Sequence, residues 1–137
     1  MGKQILIVDD HAPTRTLIKT ILESEKGESF QVLEAATGTA CLKAFDQQGP
    51  IDLILLDVNL PDMDGYSVCR ALRHVDKRVP IVFVTAKGDL RDYTAGREAG
   101  GDSYLVKPIA RAALRSIVHL FTSIGRSRAG DPVTTKS

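Results

Sequence analysis

The sequence has no tryptophan, only two cysteines and no excess of charge of either sign. Its 18 Lys and Arg residues nearly balance 17 Asp and Glu residues, which gives no support for direct binding of nucleic acid or an anionic membrane. No apolar run approaches the roughly 20 residues of a membrane-spanning helix. Cys41 and Cys69 fall on or near the apolar stripes of predicted helices. They are predicted to be small buried hydrophobes in a reducing cytosol rather than a redox pair.

Strand and helix signals alternate five times along a chain whose 137 residues are the length of one domain. The predicted strands cover residues 4–8, 30–35, 51–57, 81–85 and 103–106, and the predicted helices cover 12–24, 37–48, 65–75, 89–99 and 110–124. The third strand is apolar nearly throughout, which is typical of a parallel strand covered on both faces. This alternation predicts an α/β fold with a doubly wound, five-stranded parallel sheet.

The C-terminal residues have a different character from the rest of the chain. Residues 125–137 lack periodicity and carry one sizeable aliphatic side chain, Val133. They are predicted to be a flexible tail or the start of a linker, and residues 1–124 are predicted to form the folded domain.

Acidic residues close two of the predicted strands. Asp9 and Asp10 follow the first strand, and Asp57 ends the third. In a parallel sheet these carboxylates meet at one edge, where two charges about 4 Å apart repel by roughly 4 kcal/mol at an effective dielectric of 20. Such a cluster predicts a bound cation, and oxygen-only ligands favour Mg²⁺ over Ca²⁺ or Zn²⁺. Each acid also has a simpler interpretation, because Asp9 and Asp10 could cap the next helix and Asp57 could be an exposed loop carboxylate.

Two further strand ends add a hydroxyl and an ammonium group. The fourth strand ends at Thr85, and Lys107-Pro108 follows the fifth. Together with the acids, these groups could hold a phosphoryl group on one carboxylate. The lysine and a metal ion would balance its charge, and the threonine would donate to a phosphoryl oxygen.

At this point the chain resembles the response-regulator receiver domains of two-component phosphorelays. The resemblance runs from about Lys3 to about Ile124. The matching residues are Asp9-Asp10, Asp57, Pro61-Asp62-Met63-Asp64-Gly65, Thr85-Ala86, Tyr104 and Lys107-Pro108. It implies a flavodoxin-like strand order, 2-1-3-4-5. In that order strands one and three flank the topological switch point, where ligands bind.

The resemblance also implies a role for each acid. Asp57 is the expected phosphoacceptor. Asp10 is expected to bind Mg²⁺ directly, with Asp57 as a second ligand and Asp9 acting more through water. Asn59 is expected to offer its backbone carbonyl to the metal.

The remaining matched residues are implied to bind the phosphoryl group and relay its presence. Lys107, joined to Pro108 by a peptide bond expected to be cis, is expected to contact the phosphoryl group, and Thr85 is expected to donate to it. Thr85 and Tyr104 are the expected switch pair, acting on the face of helix four, strand five and helix five. From their positions, two residues beyond Asp57 and Thr85, Asn59 and Lys87 are expected to flank the attacking water and to set the lifetime of the phosphorylated state.

The resemblance implies a cytoplasmic signalling protein that catalyses only its own phosphorylation and dephosphorylation. Its expected partners are a histidine kinase or His-phosphotransfer domain, a downstream effector or output domain, and a second copy through the face just named. A haloacid-dehalogenase type of hydrolase is disfavoured, because Asn59 occupies the position of its general acid. A receiver-like binding module that no longer accepts phosphate is disfavoured by the complete set of acids and lysine. Whether the chain acts alone or was part of a larger protein stays open.

Overall fold

The computed structural model describes residues 2–25, 27, 29–86 and 90–124, in which strands and helices alternate. The strands are β1 (Lys3–Val8), β2 (Phe30–Ala35), β3 (Leu53–Asp57), β4 (Ile81–Thr85) and β5 (Ser103–Val106), and the helices are α1 (Ala12–Glu23), α2 (Gly38–Gln47), α3 (Gly65–Val75), α4 (Leu90–Ala99) and α5 (Arg111–Ile124). The predicted order and type of the elements are confirmed. The predictions for the tail, 125–137, and for Lys87 lie outside the described residues.

The five strands form one parallel sheet in the order β2-β1-β3-β4-β5, which confirms the expected flavodoxin-like topology. The winding reverses between β1 and β3, and ligands bind beyond the carboxyl ends at such a point. The register pairs Val8 with Leu56 and Asp57 with Val84, so β1, β3 and β4 end at nearly the same level. Polar residues that follow these strands are therefore brought to one edge.

Apolar side chains cover both faces of the sheet, because successive residues of a strand point to opposite sides. Leu53 and Leu55 of β3 pack in the layer shared with α1 and α5, whereas Ile54 and Leu56 pack in the layer shared with α2 and α3. Every residue of β3 and β4 is buried. Complete burial of a large apolar side chain stabilises the folded state by about 1.5–3 kcal/mol. Packing of these two strands therefore fixes the positions of the residues at their ends.

Of the twenty element bounds, thirteen equal the predicted ones and six differ by one residue, but β3 begins at Leu53 instead of residue 51. The Asp52 carboxylate accepts a hydrogen bond from the Gln4 backbone N–H at 2.8 Å, and the Asp52 N–H donates to the Gln4 carbonyl at 2.8 Å. A side chain therefore replaces part of the ladder here. Ile51 is nevertheless fully buried, which explains why the apolar pattern extended the predicted strand.

Arg73 on α3 connects that helix to the segments before β4 and β5. Its guanidinium donates to the carbonyls of Gly100 at 2.9 Å and Val79 at 2.7 Å, and it forms an ion pair with Asp102 at 3.0 Å. The Asp102 carboxylate also accepts from the Ile81 N–H at 2.8 Å. Arg73, which by residue type would be expected on the surface, thus connects α3 to the segments that precede β4 and β5.

Both cysteines are buried and free of disulfides, as predicted. Burial raises the pKa of the Cys41 thiol to about 12 and that of Cys69 to about 11. The Cys69 thiol lies 3.3 Å from the Ala99 carbonyl and donates to it. The two thiols are therefore protonated packing groups at neutral pH.

Within the described ranges, no helix has both the length and the apolar character needed to cross a membrane.

Candidate functional site

Three carboxylates meet at the carboxyl edge of the sheet, at the junction of β1 and β3. Asp9 and Asp10 follow β1, Asp57 ends β3, and one oxygen from each lies within 4.8 Å of the others. Asp9 and Asp57 are only 2% and 5% exposed, whereas Asp10 is exposed. The structure therefore brings the three predicted acids together, with one open to solvent and two enclosed.

Asp57 is the most constrained of these acids. Burial raises the pKa of its carboxyl, and the negative charge of Asp9 raises that pKa further. The Asn59 N–H donates to Oδ1 at 3.2 Å and the Lys107 ammonium lies 3.5 Å from Oδ2, and both lower the pKa without cancelling the rise. Keeping Asp57 ionised therefore costs free energy that an added cation would offset.

Lys107 follows β5 and reaches across the edge to two of the acids. Its Nζ lies 2.9 Å from Asp9 Oδ2 and 3.5 Å from Asp57 Oδ2, and the Lys107–Pro108 peptide bond is cis, as expected. Burial alone would lower the pKa of Lys107, but the contact with Asp9 and the charge of Asp57 outweigh burial, so that the pKa is raised. The side chain is therefore a fixed positive charge at neutral pH.

The donor set fits a hard divalent cation. Asp9 Oδ2 is buried, and its contact with the Lys107 ammonium, at 2.9 Å, is a close ion pair. Lys107 supplies one positive charge against the three negative charges of Asp9, Asp10 and Asp57. Oxygen donors with residual negative charge are the ligands that Mg²⁺ prefers.

The loop between β3 and α3 folds tightly back over Asp57. The Gly65 N–H donates to the Val58 carbonyl at 2.7 Å, and Asn59 forms an antiparallel bridge with Asp64. A Cβ atom on Gly65 would lie 2.3 Å from the Asp57 carbonyl oxygen, so only glycine allows this approach. The Asn59 backbone is thereby held beside Asp57, where the resemblance places a metal ligand.

The expected switch residues occupy the far side of the site. Thr85 ends β4 and is 3% exposed. The Tyr104 hydroxyl oxygen is buried, and a Cβ atom on Gly96 would lie 2.3 Å from it. The Tyr104 ring packs on Phe83 and Tyr93, with centroid distances of 5.6 Å and 4.6 Å. Burial, followed by the neighbouring Tyr66 hydroxyl, raises the pKa of Tyr104. The half-buried Tyr104 side chain therefore lies against α4, with its hydroxyl enclosed.

Sequence reasoning missed Arg15 and gave Asp62 no role of its own, and its alternative that Asp9 and Asp10 cap α1 is not realised. Arg15 on α1 donates to the Asp9 carbonyl at 2.7 Å and pairs with Glu34 at 2.9 Å. Asp62 accepts three hydrogen bonds from the start of α2. The N-cap of α1 is His11, without a side-chain cap, and Asp9 instead accepts from the His11 N–H at 2.9 Å. An apolar periodicity carries no signal for polar tertiary contacts of this kind.

Fold and site together define the class of doubly wound α/β domains with an acid-rich pocket at the switch point. The family described as response regulator receiver domain matches residues 5–119. The chain therefore belongs to the response regulator receiver domain family. Members of this family are phospho-accepting domains of two-component signalling rather than classical enzymes.

Known relatives agree with this assignment. The chain is 44% identical over 108 residues to the DNA-binding response regulator MtrA of Mycolicibacterium paratuberculosis, covering 79% of this chain and 46% of that protein. It is 39% identical over 114 residues to the probable transcriptional regulator ycf27 of Guillardia theta, covering 83% of this chain and 43% of that protein. The chain thus spans about half the length of the curated relatives it matches.

A similar solved structure is the receiver domain of the sensor histidine kinase PA1611 from Pseudomonas aeruginosa PAO1. It has a TM-score of 0.80 and 34% sequence identity, and the match covers 90% of this chain and 99% of that one. That domain was crystallised with a magnesium ion coordinated in its active-site cleft.

Proposed function

We propose that this chain is a cytoplasmic signalling switch in which Asp57 accepts a phosphoryl group from a histidine kinase or a His-containing phosphotransfer domain. One observation carries the proposal. Asp57 ends a strand that is buried on both faces, 3.5 Å from the Lys107 ammonium and within 4.8 Å of oxygens from Asp9 and Asp10. A carboxylate in such a setting can attack phosphorus and hold the product as an acyl phosphate.

The proposed metal is Mg²⁺, held by Asp10, Asp57 and the backbone carbonyl of Asn59, with Asp9 acting through water. When bound, the ion neutralises part of the charge on the phosphoryl oxygens. Support comes from the oxygen-only donor set of this chain and from the magnesium ion in the cleft of the PA1611 receiver domain.

The proposed transfer is an in-line displacement at phosphorus. An oxygen of Asp57 forms a bond to phosphorus while the bond from phosphorus to the donor histidine nitrogen breaks, and the departing imidazole is protonated from solvent. Lys107 and the Thr85 hydroxyl contact the phosphoryl oxygens. Water later attacks the acyl phosphate, which restores the Asp57 carboxylate and releases inorganic phosphate. A small donor such as acetyl phosphate would serve in place of the kinase.

The proposed output passes from Thr85 to Tyr104 and the face formed by α4, β5 and α5. Because the Tyr104 hydroxyl is buried against α4 in this structure, phosphorylation would shift the balance between this arrangement of the side chain and others. The partner at this face would be an output domain, a separate effector or a second copy of the chain. The name and greater length of MtrA support a DNA-binding output domain outside this chain.

Asp10→Ala is expected to weaken Mg²⁺ binding by at least about tenfold, because the substitution removes a charged ligand from the exposed side of the site. Phosphorylation by acetyl phosphate should slow in parallel. Amide NMR shifts of the residues around Asp57, followed during a Mg²⁺ titration, measure the change. An unchanged titration curve would remove Asp10 from the metal site.

Asp46→Ala is the matched control for the loss of charge. Asp46 is exposed near the end of α2, eight residues and hence roughly 12 Å along the helix from Gly38. Its removal changes net charge equally and should leave Mg²⁺ affinity within about twofold, since surface charges at such distances are largely screened. In EDTA, Asp10→Ala should be at least as thermally stable as the wild type, because carboxylate repulsion is relieved.

Thr85→Ala is expected to remain a phosphoacceptor but to respond weakly at α4 and β5. The missing hydroxyl cannot donate to a phosphoryl oxygen, so the phosphoryl group has less differential interaction with the two arrangements of Tyr104. Amide NMR shifts on addition of beryllofluoride, a phosphoryl mimic, are the readout. If wild-type shifts stay within the Asp57 pocket and α4 and β5 are silent, this output route is wrong.

A further inference from the structure

The N-terminus of α2 is satisfied by a residue from the loop that follows Asp57. Asp62 Oδ1 accepts from the Gly38 N–H at 2.8 Å, and Asp62 Oδ2 accepts from the Thr39 N–H at 3.0 Å and the Thr39 hydroxyl at 2.7 Å. The next amide, of Ala40, is capped locally by the Thr37 hydroxyl at 2.9 Å. Two of the amides that a helix start leaves without intrahelical partners are therefore met from across the fold.

A second contact attaches the same loop to the same helix. Met63 packs over Gly38 so closely that a Cβ atom on Gly38 would lie 2.4 Å from Met63 Cγ. Met63 also packs against the buried layer beneath α2 and α3. Polar and apolar contacts of neighbouring residues thus hold the loop tip against α2.

The base of this loop carries the expected metal-binding carbonyl. Asn59 and Asp64 pair across the base, and the Gly65 N–H closes it onto the Val58 carbonyl at 2.7 Å. Asp62 lies at the tip, between these pairs. Without the hydrogen bonds of Asp62 to α2, only the Met63 packing would hold the tip, and ordering the Asn59 carbonyl on cation binding would cost more conformational entropy.

We propose that Asp62 is a positioning residue for the metal site. By clamping the β3–α3 loop to α2, it holds the Asn59 carbonyl toward Asp57 and couples cation binding to the order of the α2 N-terminus. This inference rests on the proposed function. Linkage makes the coupling reciprocal, so a cation at the sheet edge must in turn stabilise the start of α2.

The charge state of Asp62 agrees with this role. The Thr39 hydroxyl, followed by the Thr39 and Gly38 amides, lowers the pKa of Asp62 to about 2. A carboxyl whose pKa is lowered by folding stabilises the fold at pH values above its pKa in the unfolded state. This stabilisation is lost as the pH falls through its pKa in the folded state. The clamp is therefore fully ionised at every pH at which the neighbouring acids could bind a metal.

The test is a Mg²⁺ titration of the full chain without a phosphoryl donor, followed by amide NMR. Asp62→Ala is expected to weaken Mg²⁺ binding about three- to tenfold, the equivalent of one net hydrogen bond. Thr39→Val, which removes one contact without changing charge, should weaken it less but measurably. In the wild type, Mg²⁺ should slow hydrogen exchange at the Gly38 and Thr39 amides, and Asp62→Ala should abolish that slowing.

Asp46→Ala, near the C-terminal end of α2, supplies the charge control. If it weakens Mg²⁺ binding as much as Asp62→Ala does, the effect is long-range charge and the inference is overturned. An Asp62→Ala variant with wild-type affinity also overturns it, and if that variant does not fold, Thr39→Val decides by the same criterion. If the amide NMR shift of Asp57 in the wild type does not change during the Mg²⁺ titration, the proposed function is overturned as well. The two failures are therefore distinguishable.

Discussion

Asp57→Asn is expected to abolish phosphoryl transfer to this chain while the fold remains intact. The amide has nearly the same shape, but its oxygen is a far poorer nucleophile than a carboxylate oxygen, so transfer should slow by at least about a hundredfold. Intact-mass spectrometry after incubation with acetyl phosphate and Mg²⁺ measures the result, with one phosphoryl group expected on the wild type. Equal modification of the Asp57→Asn variant would show that another residue is the acceptor.

The same substitution is expected to stabilise the metal-free protein at neutral pH. Burial and the charge of Asp9 raise the pKa of Asp57. A carboxyl whose folded-state pKa is raised stabilises the fold below its unfolded pKa, and this contribution is lost as the pH rises through the folded value. Ionised Asp57 therefore destabilises the fold at pH 7.5, where Asp57→Asn should have the higher Tm in EDTA. The difference should shrink toward about pH 4, the unfolded value. Equal Tm values for the wild type and Asp57→Asn at pH 7.5 would contradict the conclusion that ionised Asp57 destabilises the fold.

Gly65→Ala is expected to destabilise the chain by about 3 kcal/mol, although alanine normally favours a helix over glycine. Gly65 is the first residue of α3, and an added Cβ would lie 2.3 Å from the Asp57 carbonyl oxygen and 2.9 Å from Val58 Cα. Both are backbone atoms at the end of a buried strand, so the clash moves Asp57 itself. Urea unfolding measures the cost, and Mg²⁺ affinity should fall with it.

Gly38→Ala is the matched control, because Gly38 is also the first residue of its helix. Its clashes are all with side chains, at 2.4 Å from Met63 Cγ, 2.7 Å from Met63 Sδ and 2.9 Å from Val68 Cγ2. A methionine side chain adapts by changing rotamer, so this variant should lose less than about 1.5 kcal/mol. If Gly38→Ala costs as much as Gly65→Ala, the backbone of Asp57 has no special role in the penalty.

The sequence alone predicted the order of elements and the meeting of three acids at one edge. Those predictions succeeded because they depend on periodic burial and on the fact that parallel strands end together. The strand order came from the resemblance, since no local pattern states which strands are neighbours. The start of β3 was wrong because Ile51 is buried like a strand residue, although Asp52 replaces the ladder with a side-chain hydrogen bond.

The polar contacts that surround the site could not be predicted in the same way. Arg73 and Asp102 are 29 positions apart, and Asp62 is 23 positions from Thr39. Each of these residues is an ordinary surface residue by type, and only the folded backbone shows that it meets a particular donor or carbonyl. Long-range polar pairs carry no periodicity, so they are found from coordinates.

The parallel crossovers have a consequence for folding during synthesis on the ribosome. Gln4 and Asp52, at the first contacts of β1 with the β3 segment, are 48 positions apart, and Lys107 is 50 positions from Asp57. Such distant pairings form slowly, since loop closure precedes any compensating contact. When β1 to β4 have emerged from the ribosome, Asp9, Asp10 and Asp57 have been synthesised. Lys107, which pairs with Asp9 and Asp57, has not yet emerged. If the proposed function holds, a chain in which the final strand has not yet docked is expected to be a poor phosphoacceptor.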